Sequence, residues 1–333
     1  MTRVRVHTGE VNAEMLDTTL QDLPKFMSNN NGGWIDIFQP KEEETREFLQ
    51  GKMMFHHLAV DDCFEEPASR NFVYGDHKFT TFKARDADRE LDTEYLRSFL
   101  HDGWLITVRH AHMPGIGEFR KRIKSKDFMK DGMMKAEYLL YQLLDSVADD
   151  WTKILIRKSE RLDELEDRVF DPNQKHPNLL EDLHELKGDL REIAKSTTPL
   201  DEVVRGMLRS NDEFVTDATN LYYRDLADLT RAIVTRVENY SSGAASTRDT
   251  YISQTSMRLA ESQAEAAEVM RLLTIIATIM LPITAIASIF GMNVQAFEAG
   301  NGPFDLMTIL GIMSAIGVGI LLWFYVKGYI GKR

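Results

Sequence analysis

Three residues carry the clearest chemical possibility in this 333-residue chain: Gly291, Met292 and Asn293, which stand at one end of a long uncharged apolar run. An asparagine amide offers a neutral oxygen acceptor and two N–H donors. Such an oxygen can accept hydrogen bonds from water, including the water held around an ion. Few other clusters promise chemistry. His56-His57 and His110-x-His112 come nearest to a transition-metal site, and the latter pair could lie on one face of a strand, but each lacks a third ligand. No phosphate-binding glycine loop, Ser-His-Asp set or zinc-protease pattern is present, which gives ATP-driven pumping and hydrolytic catalysis no footing.

The elements that must position Gly291-Met292-Asn293 are two charge-free segments, 272–290 and 306–326, of nineteen and twenty-one residues. As helices they would be about 28 and 31 Å long, which matches a hydrocarbon layer of about 30 Å. Both are predicted to span a bilayer; a buried helical hairpin in a soluble core is the alternative. Arg258 and Arg271 precede the first span, and Lys327, Lys332 and Arg333 follow the second. The loop between them holds Glu298 and Asp305 and no basic residue. Basic flanks stay in the cytoplasm. Both termini are therefore expected inside a multi-pass protein of the cell membrane, with 291–305 facing outward. No apolar leader follows Met1, so a cleaved signal is not expected.

The whole chain carries 40 basic and 52 acidic residues, of which three and two lie in 272–333; the first 271 residues thus hold 37 and 50, a formal charge of −13. That field repels nucleic acid and concentrates cations, or simply keeps the domain soluble. One cysteine, Cys63, excludes an internal disulfide and suits a reducing compartment.

Over 1–130 the runs Gly33 to Phe38, Phe72-Val73-Tyr74, Lys78 to Phe82 and Trp104 to Val108 are aromatic and β-branched and are predicted strands. Thr45 to Leu49 and Pro114 to Ile123 are predicted helices, giving an α/β domain. An acidic helical hairpin is expected over 131–215, with arms from Ala136 to Phe170 and from Asn178 to Lys195, ended by Pro172 and Pro199. No proline intervenes between Pro199 and Pro282, so a stalk helix over 216–271 is predicted to run through Ser241-Ser242-Gly243 into the span 272–290. Loop 291–305, a second span over 306–326 and a basic tail over 327–333 complete the chain. A domain mounted on a helix that becomes a span can transmit cytoplasmic events to the membrane.

Glu268-Val269-Met270-Arg271-Leu272-Leu273-Thr274-Ile275-Ile276-Ala277-Thr278-Ile279, then Leu281-Pro282, then Ile289-Phe290-Gly291-Met292-Asn293, resembles the pore region of the CorA family of divalent-cation channels. His57-Leu58-Ala59-Val60-Asp61-Asp62 is similar to the family's His-Pro-Leu-Ala-Ile-Glu-Asp element, and Phe99-Leu100 with Trp104 to Val108 to the strand after it. Tyr138-Leu139-Leu140-Tyr141, Asp163 to Asp167 and Tyr223 to Asp228 also correspond, in the right order.

The resemblance implies a homopentamer embedded in lipid, with no cofactor beyond the divalent cation it carries and senses. Each first span would line a central pore and each second span an outer ring. Met270, Leu273, Ala277, Leu281, Thr284 and Ser288 recur at three or four residues and make one helix face. As a pore lining, that face would place an apolar gate inside and hydroxyls outside; alternatively, Thr284 and Ser288 bond back to helix carbonyls near Pro282. Gly291, Met292 and Asn293 would form the selectivity filter. A ring of Asn293 amides could read a Mg²⁺ ion through the water that it gives up reluctantly. Gly291 would let backbones approach, and Met292 would pack and hold the turn. Glu298 would gather cations at the mouth, and Asp305 would do the same or cap the second span. On that span, Gly311, Ala315 and Gly319 would permit close packing. The family's regulatory metal site falls on Asp62 and, from a neighbouring subunit, Asp225, with Asp228 one turn on. Otherwise Asp62 caps a turn and Asp225 is solvated.

Departures leave the ion open. Ala267 replaces an asparagine common before Glu-Val-Met. Val294-Gln295-Ala296-Phe297-Glu298 replaces the usual Met-Pro-Glu-Leu, and the stalk after Asp249-Thr250-Tyr251 is about seven residues longer, close to two helical turns. Uptake of Mg²⁺, with Co²⁺ or Ni²⁺, down the electrochemical gradient is the leading expectation, with Zn²⁺ transport as in the ZntB branch the alternative. A membrane-anchored sensor or enzyme is the rival of another class, but the outer loop is short and no catalytic set is evident.

Overall fold

Runs of valine, isoleucine and aromatic residues draw seven strands into one mixed sheet. The computed structural model describes residues 2–8, 15–125, 135–171, 178–209, 214–291 and 306–329, in two compact units, Met1–Thr250 and Tyr251–Arg333. In the first, strands β1 (Arg3–Thr8), β2 (Leu16–Thr18), β3 (Gly33–Phe38), β4 (Arg70–Tyr74), β5 (His77–Arg85), β6 (Thr93–His101) and β7 (Trp104–Arg109) lie in the order β2-β1-β3-β7-β6-β5-β4. Only β3 and β7 pair in parallel. These two are buried along their whole length, as a strand covered on both faces must be.

One face of the sheet carries Val4, Val6, Ile35, Ile37, Ile106 and Val108 against Phe48, Leu49, Phe55, Val60 and Cys63. Those partners come from the π-helical segment Glu47–Lys52 that follows α2 (Glu42–Arg46), from α3 (His57–Asp61) and from the chain around them; α1 (Leu23–Ser28) adds Leu23. The opposite face is covered by α4 (Pro114–Ile123) and α5 (Ala136–Phe170). The expected helix over Thr45 to Leu49 is thus split between α2 and the π-helical turn.

α4 and α5 have the predicted bounds. The second arm of the hairpin differs: α6 spans Leu179–Arg209 with Pro199 inside it, and does not stop at Lys195. Leu183, Leu186, Leu190, Ile193, Leu200, Val204 and Met207 are all buried and keep one helical register through the proline. Burying that stripe outweighs the loss of about 3 kcal/mol that an interior proline brings.

The helix α7 (Asp217–Gly291) is 75 residues long and passes through Ser241-Ser242-Gly243 unbroken. Gly243 has a local reason: a Cβ there would stand 3.1 Å from Cδ2 of Leu162, so its absence lets α7 lie close to α5. In the first unit α7 buries Tyr223, Leu226, Thr230, Ile233, Val237, Ala244 and Thr247. Thr230 Oγ1 donates to Asp201 at 3.0 Å and Thr247 Oγ1 to Glu166 at 2.9 Å. From 255 to 274 every residue of α7 is exposed. The second unit pairs the end of α7 with α8 (Leu306–Val326).

Candidate functional site

Helical geometry sorts the second unit into two faces. Ile275, Ile279, Pro282, Ile283, Ile286 and Phe290 of α7 are the buried or half-buried residues between 271 and 291. Their counterparts on α8 are Ile309, Met313, Ile316, Gly317, Ile320 and Phe324. The seam is close at Gly317, where a Cβ would lie 3.5 Å from Cδ1 of Ile283. Gly311, Ala315 and Gly319, the small residues expected to permit close packing, are all exposed, and within this chain a Cβ at Gly311 or Gly319 would meet nothing within 4 Å. They lie on the side of α8 away from the seam, so Gly317 sets the intrachain approach.

Met270, Leu273, Ala277, Leu281, Thr284 and Ser288 are all exposed. At about 100° per residue their mean direction lies roughly 170° from that of the seam residues. The hydroxyls divide along the same line. Thr274 and Thr278 donate back to the carbonyls of Met270 and Thr274, each at 2.7 Å. Among the described residues, Thr284 and Ser288 make no such bond. Both apolar helices present most of their side chains outward. They are therefore not the buried core hairpin that their composition also allowed. Gly291 is the last residue of α7, with open space where a Cβ would stand. Met292, Asn293, Glu298 and Asp305 lie outside the described residues.

The acidic residues of the expected regulatory site fall in different settings. Asp62 caps the C-terminus of α3; its buried carboxylate pairs with Arg70, and its carbonyl accepts from Arg97 Nε at 2.9 Å. Asp225 and Asp228 are exposed on α7. Asp225 faces an acidic neighbourhood: burial, opposed by Arg122, raises the Asp145 carboxyl above its ordinary range, and Asp149 and Asp225 push it further. Burial, Asp145 and Asp225 likewise raise the Tyr141 phenol. Arg122 spans Asp145 and Asp149. Among the described residues no three His, Cys, Asp or Glu side chains converge within one chain. The exposed oxygens of Asp225 and Asp228 suit a hard cation. Asp62 does not, in this conformation, because Arg70 already occupies its carboxylate. The two histidine pairs form no metal centre either: His56 stacks on Tyr74, while His110 meets the Cys63 carbonyl at 3.2 Å.

A buried charged set escaped the sequence reading. Asp36, 1% exposed at the middle of β3, accepts from Arg109 at 3.0 and 2.9 Å, from Arg120 at 3.3 Å and from Thr107 at 3.0 Å. Its signal was present as period two: Arg3-x-Arg5 and Thr107-x-Arg109, on the strands either side of Asp36, place polar groups on one face of three adjacent strands.

A sheet covered by helices on both faces and a 75-residue helix ending in an apolar segment, followed by a second apolar helix, define a protein with a large N-terminal unit and two candidate membrane spans. The family model described as "CorA-like Mg2+ transporter protein" matches residues 29–331, and the chain belongs to this CorA family. It therefore stands with metal-ion transporters and not with enzymes. The chain is 25% identical over 324 residues to the cobalt/magnesium transport protein CorA of Thermotoga maritima, covering 95% of this chain and 89% of that one. The complete CorA magnesium transporter of Methanocaldococcus jannaschii shares the fold with a TM-score of 0.69 at 21% identity, covering 99% of both chains. The cytoplasmic domain of ZntB from Vibrio parahaemolyticus gives 0.61 at 15% identity, over 77% of this chain and 99% of that one.

Proposed function

We propose that the chain assembles as a homopentameric channel that carries Mg²⁺, and with it Co²⁺ or Ni²⁺, into the cell down the electrochemical gradient. The observation that carries this reading is the face of α7 turned away from α8. Its outer part carries the hydroxyls of Thr284 and Ser288, which a wetted surface suits better than lipid. Around a fivefold axis the same side lines a pore, with Met270, Leu273, Ala277 and Leu281 as an apolar constriction and Thr284 and Ser288 as a wetted vestibule. Gly291, Met292 and Asn293 then stand at the outer mouth as the selectivity filter, and Glu298 raises the local cation concentration. The basic flanks put both termini in the cytoplasm.

Regulation follows from the cytoplasmic unit. A divalent cation held between Asp62 of one subunit and Asp225 and Asp228 of the next would link neighbours and hold the pentamer closed. For Asp62 to serve, the cation must displace Arg70, so the site is a switch between an intrasubunit ion pair and an intersubunit metal. Its loss at low internal Mg²⁺ would release the closed state.

Flux of Mg²⁺, Co²⁺, Ni²⁺ and Zn²⁺ into liposomes bearing the purified protein tests the proposal. Mg²⁺ uptake stopped by internal Mg²⁺ is the expected result. Uptake of Zn²⁺ in preference to Mg²⁺ would transfer the chain to the zinc reading, and a folded pentamer that passes no divalent ion would end the channel reading.

A further inference from the structure

The acidic N-terminal unit contains one strongly basic hollow, and it is built on the buried set around Asp36. A cavity of about 60 Å³ is lined by Arg3, Arg5, Arg109, Arg120 and His112, with Asp36 and Phe38 beneath them. Arg3 and Arg5 lie on β1 directly across from Phe38 and Asp36 on β3, and Arg109 lies across from Phe38 on β7. Arg120 reaches in from α4. The guanidinium of Arg109 also stacks over Phe38 at 4.4 Å, which fixes its plane.

Charge in this hollow does not balance. Four arginines face one buried carboxylate, Asp36; the other acid near them, Asp17, is 82% exposed and holds Arg5 at 3.0 Å from the solvent side. An ion pair so exposed contributes little. Among the described residues, Arg3 forms no ion pair, and the buried Nε of Arg120 has no hydrogen-bond partner. Burial lowers the pKa of Arg120 and, against the pull of Asp36, so does repulsion from Arg109 and Arg5. A half-buried guanidinium whose Nε–H is buried without a partner, repelled by two others, is a site that an added anion would stabilise.

We propose that this hollow binds a tetrahedral oxyanion, phosphate being the chemical class. A cavity of about 60 Å³ holds about two waters at a share of about 30 Å³ each, and it opens to solvent past the exposed Arg3 and His112. That accommodates a phosphate group but not a nucleoside. The forked donors of Arg120 and Arg3 match two phosphate edges, and the ordered Arg109–Asp36 pair forms the floor. The phosphate can be inorganic phosphate or the terminal group of a nucleotide whose remainder stays in solvent.

Isothermal titration of the detergent-solubilised full chain with inorganic phosphate, at ionic strength held constant with chloride, should give a saturable isotherm. Arg120→Gln and Arg3→Gln should each weaken it by about tenfold, the scale of one charge-assisted hydrogen-bonded contact. Arg3 is exposed, so its variant should keep the fold even if Arg120→Gln does not. Arg248→Gln, on the exposed surface of α7, should bind as the parent does. ATP titrated in the same way separates the sources: tighter binding than phosphate, lost in Arg3→Gln, assigns the hollow to a nucleotide's terminal phosphate, and weaker binding assigns it to the free ion. No saturation with either ligand, or an equal loss in Arg248→Gln and Arg3→Gln, overturns the site.

Discussion

Replacing Asp36 by alanine should be the most damaging single change in the N-terminal unit. Asp36 is 1% exposed and the Arg109 side chain 6%, so neither can turn to water when its partner is lost. Two hydrogen bonds from Arg109, one from Arg120 and one from Thr107 would be deleted together, leaving a guanidinium buried without a counter-charge. Breaking one side of a buried pair costs about 3–5 kcal/mol. For a unit of this size each kcal/mol lowers the melting temperature by about 2–4 °C, so a fall of roughly 6–20 °C is expected. Tryptophan fluorescence reads it well, since Trp34, Trp104 and Trp151 are buried in this unit. Asp36→Asn should lie between parent and alanine, because an amide oxygen still accepts from Thr107 or Arg109 but carries no charge. Millimolar phosphate should restore part of the lost stability by standing in for the carboxylate. A melt within about 2 °C of the parent would refute the reasoning, because it would mean that Arg109 finds water or another anion at no cost.

Three other outcomes are expected. Asn293→Ala should abolish ion discrimination or transport in the liposome assay; unchanged flux and selectivity would reject the filter assignment. Asp62→Ala should raise the Mg²⁺ needed to protect the cytoplasmic unit from protease by roughly tenfold, the effect of removing one charged ligand, and unaltered protection would reject the regulatory site. Burial pushes the Cys63 thiol from an ordinary 9.0 up to about 12. The thiolate is the reactive form, so at pH 8 maleimide should label Cys63 only after unfolding. Because the folded value is the higher one, the stability linked to this thiol is intact below pH 9 and fades as pH rises toward about 12. Rapid labelling of the native chain at pH 8 would contradict the burial.

Much of the fold was legible because its signals are local. β3 could be read from its aromatic and β-branched residues Trp34, Ile35, Ile37 and Phe38, α4 from Pro114 at its first turn, and α5 from leucine spacing closed by Asp171-Pro172. α7 was readable because no proline falls between Pro199 and Pro282 to stop it. What escaped depends on contacts distant in sequence. Pro199 looked like a terminator, and only the cover that β4 and β5 give to α6 shows why the helix continues. β1 and β2 are short and polar at alternate positions, and the pairing of β1 with β3 and of β2 with β1 makes them strands. Gly317 could not be preferred over Gly311 and Gly319 without knowing which side of α8 faces Ile283. Asp36 read as one polar residue in an apolar run, although its partners Arg109 and Arg120 lie 73 and 84 residues away.

The hydroxyls of α7 tie the sequence pattern most closely to the proposed pore. The four in its apolar end, Thr274, Thr278, Thr284 and Ser288, are all exposed. Thr274 and Thr278 lie on the flank between the seam with α8 and the opposite face, and both satisfy themselves on carbonyls one turn back. A hydroxyl bonded in this way can face lipid at little cost. Thr284 and Ser288 lie at the centre of the face opposite the seam, where no described neighbour bonds them. An unbonded hydroxyl is stable only against water or a polar partner. The helix thus separates groups that tolerate hydrocarbon from groups that need water, along the line between its flank and its far side. In the proposed pentamer a pore axis on that far side would supply the water, and the apolar side chains of Met270, Leu273 and Leu281 below it would supply a place where water can be expelled.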